Sequence, residues 1–84
     1  MTSLQIHYFL TAADCLSFSQ TSEKLYVSQP AVSRQIKLLE QELGCQLFDR
    51  TRKNAIRLTP ACIVFQDAFS HMQILYTRAA ETAQ

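Results

Sequence analysis

The sequence predicts a mainly α-helical fold: a three-helix core, a two-stranded hairpin and a long helix at the C-terminal end. Three observations predict it. The 84 residues are 48% hydrophobic, with one glycine and two prolines, a composition suited to helices around a core and unlike that of a disordered chain. The stretch V-S-Q-P-A-V-S-R-Q-I-K-L-L-E-Q-E-L-G, residues 27–44, carries a helix start, an apolar stripe and a helix stop in that order. From Thr59-Pro60 to Ala83 no glycine or proline interrupts the chain.

Taken in order, Leu4 to Asp14 has helical periodicity, with Ile6, Phe9, Ala13 and Leu16 on one face and Leu10 beside it. Ser17-Phe18-Ser19 breaks that helix. Ser19 is the expected N-cap of a second helix, Gln20 to Tyr26, with Leu25 turned inward and Phe18 as a core anchor. Val27-Ser28 makes a tight turn into the third helix. Ser28 can cap it, Pro30 falls in the first turn where its missing N–H costs nothing, and Gly44 suits the left-handed residue past its end. Val32, Ile36, Leu39 and Leu43 form its inward stripe. Cys45 to Arg50 alternates weakly and is expected to pair, as a short strand, with Ala55 to Leu58. The T-R-K-N between them makes a basic turn. Thr59 as N-cap and Pro60 at the first position start the last helix, about 36 Å long if it reaches Ala83. Along it Cys62, Phe65, Phe69, Met72, Tyr76, Ala79 and Ala83 recur three and four apart. A seam that long exceeds what so small a domain can cover, so it implies a partner helix, most simply from a second copy. Phe65, Phe69, Met72, Tyr76 and Ala79 are the expected interface. The boundaries are then 1–58 for the compact domain and 59–84 for the helix that follows.

The formal net charge is only +1, but its distribution is uneven. Residues 24–57 hold seven of the eight cations and three carboxylates, a net +4; the rest of the chain holds Arg78 against four carboxylates, a net −3. A basic centre with acidic flanks fits a localised polyanion contact. Cys15, Cys45 and Cys62 are odd in number, widely spaced and remote from any histidine, so neither a disulfide framework nor a zinc site is expected. No run is long and apolar enough to span a bilayer and no leader opens the chain, which points to a cytoplasmic protein. Two distant histidines, no phosphate-binding glycine loop and no carboxylate cluster give no route to an enzyme, a cofactor or a metal.

Two short helices joined by Val27-Ser28 have helix-turn-helix spacing, and that motif carries the N-terminal residues of its second helix to base edges in the major groove. Gln29, Pro30, Ser33 and Arg34 hold that position here. Glutamine and arginine can make paired hydrogen bonds to adenine and guanine edges; Lys37 suits a phosphate. Arg52 and Lys53 tip the expected hairpin, with Arg50 at its base, and a cation on such a tip can enter a narrow minor groove. The plainer alternatives are a solvated helix face and a solvated charged hairpin.

The pattern S-F-S-x-x-x-E-x-L-x-V-S-Q-P-A-V-S-R-Q-I-K-x-L-E-x-E-L-G-x-x-L-F-x-R at residues 17–50, followed by Leu58-Thr59-Pro60-Ala61, closely resembles the N-terminal domain of the LysR-type transcriptional regulators of bacteria. The resemblance implies a winged helix-turn-helix (helix-turn-helix about 18–37) followed by a linker helix that dimerises, usually antiparallel. It implies binding to interrupted inverted repeats near promoters, tetramers in full-length relatives, and a separate C-terminal effector-binding domain absent from these residues. By the same resemblance Gln29, Pro30, Ser33 and Arg34 meet the major groove, Ser28, Lys37 and Arg50 the DNA backbone, and Arg52 or Lys53 the minor groove. The chain departs from the family pattern in having Thr21-Ser22 for two alanines and Cys62 for a glycine, and residues 50–58 run one residue longer. Small hydroxyls at 21 and 22 are expected to bond back to their own helix. The alternative reading is a winged helix kept for protein contacts alone, since fold does not fix function.

Overall fold

The computed structural model describes residues 1–52 and 55–83, with Arg52 and Ala55 described by their backbone alone. Its elements are α1 (Ser3–Cys15), α2 (Phe18–Leu25), α3 (Gln29–Leu43), β1 (Phe48–Arg52), β2 (Ala55–Leu58) and α4 (Pro60–Thr82).

A capping box starts α1: Thr2 Oγ1 accepts from Gln5 N at 3.1 Å, and Gln5 Oε1 accepts from Thr2 N at 3.2 Å. The helix ends on Leu16, whose backbone is left-handed (φ 54°, ψ 32°). That turn takes Leu16 off the core face on which the sequence placed it, and it is exposed. The buried residues of α1 are Ile6, Tyr8, Phe9, Ala12 and Ala13.

The second helix begins two residues earlier than the sequence indicated. Ser17, not Ser19, is its N-cap, extended at φ −158° and accepting from Gln20 N at 3.1 Å. The left-handed Leu16 forces the chain straight into an extended residue, so the cap must be Ser17, and Phe18 enters the core from the first helical position. Thr21 and Ser22 are buried, and their hydroxyls donate back to Ser17 O and Ser19 O, each at 2.7 Å. Both hydroxyls are thus satisfied by the backbone of their own turn.

Ser28 caps α3 by accepting from Ala31 N at 3.2 Å, and Gly44 closes it at φ 75°, its N–H donating to Glu40 O. Val32, Ile36 and Leu39 are fully buried. β1 and β2 pair antiparallel, Phe48 opposite Leu58 and Asp49 opposite Arg57, then Arg52 opposite Ala55. Three steps on β1 therefore face two on β2, a bulge that absorbs one extra residue. The strand starts at Phe48 rather than Cys45, because the backbone just before it is held elsewhere: Thr59 N donates to Leu47 O, and Leu47 N donates to Glu40.

All five phenylalanines form one chain of ring contacts. Phe18 meets Phe48 edge-on at 5.5 Å, Phe48 meets Phe9 at 5.7 Å, Phe9 meets Phe69 edge-on at 5.5 Å, and Phe69 meets Phe65 at 5.5 Å. This chain fastens α2, β1, α1 and the first half of α4 to one another, each edge-to-face pair adding to its area burial. Phe69 is only 3% exposed, and this corrects its assignment to a dimer interface: Phe9 of the same chain already covers it. The heptad-like seam is divided. Cys62 and Phe69 belong to the core, Phe65 is half-buried, and Met72, Tyr76 and Ala79 lie exposed beyond them.

Candidate nucleic-acid interface

The exposed side of α3 begins at its own N-terminus. Gln29, Pro30, Arg34 and Lys37 are exposed and Ser33 is half-buried. Pro30, Ser33, Arg34 and Lys37 line one shallow hollow, which Leu38 and Gln41 extend toward the helix C-terminus. The face follows from helix geometry: with Val32, Ile36 and Leu39 turned inward, residues 30, 33, 34 and 37 must turn out. Ser28 gives its oxygen to the cap and keeps its hydroxyl proton to donate. The structure thus gathers Ser28, Gln29, Pro30, Ser33, Arg34 and Lys37 on one side of one helix.

Both carboxylates of α3 are engaged away from that side. Glu42 accepts from the N-terminal ammonium of Met1 at 2.6 Å. Glu40, further along the helix, is buried at 8% exposure. Its Oε2 accepts from Leu47 N at 2.7 Å and Phe48 N at 3.3 Å; its Oε1 accepts from Arg50 Nη2 at 2.9 Å. Arg50 also donates to Phe48 O at 3.3 Å and lies 5.2 Å over the Phe18 ring. One carboxylate therefore joins the last turn of α3 to the root of the hairpin. Sequence reasoning missed this role. The available signal was position: Glu40 lies four residues from Ile36 and three from Leu43, on the inward stripe, and a charge there needs a partner.

Arg50 is corrected by the same geometry. The sequence and the resemblance assigned it to the DNA backbone, but its guanidinium is engaged with Glu40 and Phe48 O, and its side chain is 27% exposed. Of the two tip cations, Arg52 is placed on β1 opposite Ala55; Lys53 and the side chain of Arg52 lie outside the described residues, so the minor-groove expectation is left to them as stated.

Cys62 is fully buried. Burial, then the nearby Glu40 carboxylate, pushes its thiol up to about 11. At pH 8 the thiolate fraction is then about one in a thousand. Alkylation of the native chain with iodoacetamide is expected to modify the half-buried Cys15 and Cys45 but not Cys62, with the third thiol reacting only in denaturant; peptide mass mapping reads the result.

Among the described residues no group of three His, Cys, Asp or Glu side chains could hold a metal ion, and no helix is long and apolar enough to cross a membrane.

Residues 4–62 match the family described as "Bacterial regulatory helix-turn-helix protein, lysR family". The chain belongs to the LysR family. Its relatives are transcriptional regulators rather than enzymes. The HTH-type transcriptional regulator TfdT of Cupriavidus pinatubonensis (strain JMP 134 / LMG 1197) is 34% identical over 80 residues, which is 95% of this chain and 35% of TfdT. BsdA of Bacillus subtilis (strain 168) is 44% identical over 61 residues, 73% of this chain and 21% of BsdA. The LysR-family fold recurs in solved structures: the CbnR_DBD–DNA complex superposes with a TM-score of 0.95 at 30% identity, covering 99% of this chain and 94% of that one. The BenM_DBD/catB site 1 DNA complex gives 0.91 at 29% identity, covering 99% and 91%. The chain spans about a third of the length of TfdT and about a fifth of BsdA.

Proposed function

We propose that this chain binds double-stranded DNA in a sequence-dependent manner as the DNA-binding domain of a LysR-type transcriptional regulator, with α3 as its reading helix. The observation that carries the reading is the exposed face of α3: amide, hydroxyl, guanidinium and ammonium in succession, with both nearby carboxylates engaged elsewhere. A module kept only for protein contacts has no need of such a face. The DNA-bound structures of CbnR and BenM domains support it.

The roles divide by chemistry. Gln29 and Arg34 supply paired donors and acceptors for base edges, Pro30 and Ser33 shape the approach, and Ser28 and Lys37 contact phosphates. Residues 1–58 form the DNA-binding unit, and the helix from 59 links two copies. Once Phe69 is assigned to the core, the dimer face moves around α4 to Val64, Ala68, Met72, Leu75, Tyr76 and Ala79. Val64, Leu75 and Tyr76 are 67%, 65% and 77% exposed. Val64 with Ala79 and Ala68 with Leu75 are symmetric about one point of the helix, which suits antiparallel self-pairing. Two such domains would occupy an interrupted inverted repeat, in a nucleoid-associated regulator of the cytoplasm. Higher assembly to a tetramer and sensing of a small molecule belong to a further domain of the complete regulator.

The test is fluorescence anisotropy on operator and scrambled duplexes. Arg34→Ala is expected to lose roughly 1–3 kcal/mol of discrimination, whereas Lys37→Ala weakens every sequence alike and lowers the salt slope by about one. If Arg34→Ala leaves operator and scrambled binding unchanged, the reading face is wrongly assigned.

A further inference from the structure

We propose that Tyr26 is an additional DNA contact, its phenol hydroxyl donating to a backbone phosphate beside the N-terminus of α3. The inference rests on the DNA-binding reading above and names a residue that neither the sequence motif nor the polar face of α3 includes.

Tyr26 is 95% exposed, the highest value among the exposed large apolar residues. Its ring contributes almost nothing to the core, so folding does not account for an aromatic side chain here. Its backbone is left-handed (φ 56°, ψ 41°), a region that side-chain-bearing residues adopt at a cost and that glycine or asparagine occupies more readily. Such outliers gather where a side chain is needed in a particular place. Among the described residues the other left-handed non-glycine, Leu16, is 47% exposed, so the rest of the chain still covers half of it. Tyr26 has no such cover.

The position is also rigid and close. Tyr26 N–H donates to Glu23 O and Ser22 O, and Val27 N–H donates to Ser22 O at 3.1 Å. The ring therefore leaves a fixed backbone two residues before the α3 cap. Only Val27 and Ser28 separate it from Gln29, so the two Cα atoms, three steps apart, lie within about 11 Å. A duplex seated on Gln29 and Arg34 brings phosphates past this turn, as the first helix of the motif crosses the backbone there. A phenol is neutral and donates one hydrogen bond. Its contact adds affinity without releasing a counterion, which separates it from Lys37.

The experiment titrates the 84-residue chain and its Tyr26→Phe and Tyr26→Asn variants against a fluorescein-labelled mixed-sequence duplex at two salt concentrations, with thermal melts of each protein. No operator is required, because a phosphate contact is not sequence-specific. Tyr26→Phe is expected to bind roughly fivefold more weakly, the effect of one lost hydrogen bond, with the salt slope unchanged. Tyr26→Asn is expected to bind at least as weakly while melting about 3 °C higher, because asparagine suits the left-handed backbone. Weaker binding by a better-folded variant excludes a folding defect. Tyr26→Phe binding as tightly as the wild-type chain overturns the inference alone; a wild-type chain that binds no duplex at low salt overturns the DNA reading and the inference together.

Discussion

Glu40→Ala is expected to cost the domain about 3–5 kcal/mol, the usual effect of removing one member of a buried ion pair. The carboxylate holds three donors at once: Leu47 N, Phe48 N and the Arg50 guanidinium. Removing it strands two buried amides and leaves the Arg50 guanidinium without its carboxylate. Domains are stable by only about 5–15 kcal/mol, so the loss is a large share of the total, and the midpoint of thermal unfolding should fall by roughly 15–30 °C. Arg50→Met is expected to cost less, because Glu40 keeps both backbone donors and the arginine is already partly solvated. A urea titration followed by far-UV circular dichroism gives both values. A Glu40→Ala variant within about 1 kcal/mol of the wild type would contradict the hub described for this carboxylate, as would an Arg50→Met variant that loses more than Glu40→Ala.

Phe9→Ala should be comparably severe, about 3–5 kcal/mol by the measured cost of removing a fully buried ring. Phe9 is 0% exposed and touches both Phe48 and Phe69. It is the middle link in the chain of five rings, so its loss separates two halves of the core. The half containing Phe65 and Phe69 is what fastens α4 to the domain. Beyond the stability loss, amide hydrogen exchange in residues 62–70 is expected to accelerate more than exchange in α3, whose inward stripe of Val32, Ile36 and Leu39 remains. Equal acceleration in both helices would mean that α4 is not held through Phe9.

Much of this was legible in the chain itself because the signals were local. Ser28, Pro30 and Gly44 bound α3 by chemistry that acts within one turn, and Thr59-Pro60 starts α4 in the same way. The reading face follows from helix period once the apolar stripe is known. Most of what was not legible depends on distant parts of the chain. Ser17 and Ser19 flank Phe18 symmetrically, and both are good caps; the left-handed turn at Leu16 decides between them. Periodicity along α4 shows a continuous seam but not what covers it, so Phe69 reads the same whether Phe9 or a second copy lies opposite. Arg50 reads as a contact to the DNA backbone until the fold places the Glu40 carboxylate against it. The corrections at Phe69 and Arg50 each concern a side chain whose partner is ten or more residues away in sequence, beyond the reach of helical or strand spacing.

The central claim is that α3 reads base sequence, and the most direct measurement is a competition between two duplexes of equal length. One is an interrupted palindrome from the promoter beside the protein's own gene and the other is its scrambled counterpart, each titrated by fluorescence anisotropy at two salt concentrations. The expected result is tighter binding to the palindrome at both, with both affinities falling as salt rises. Equal affinity for the two duplexes, or no binding to either at low salt, would contradict it.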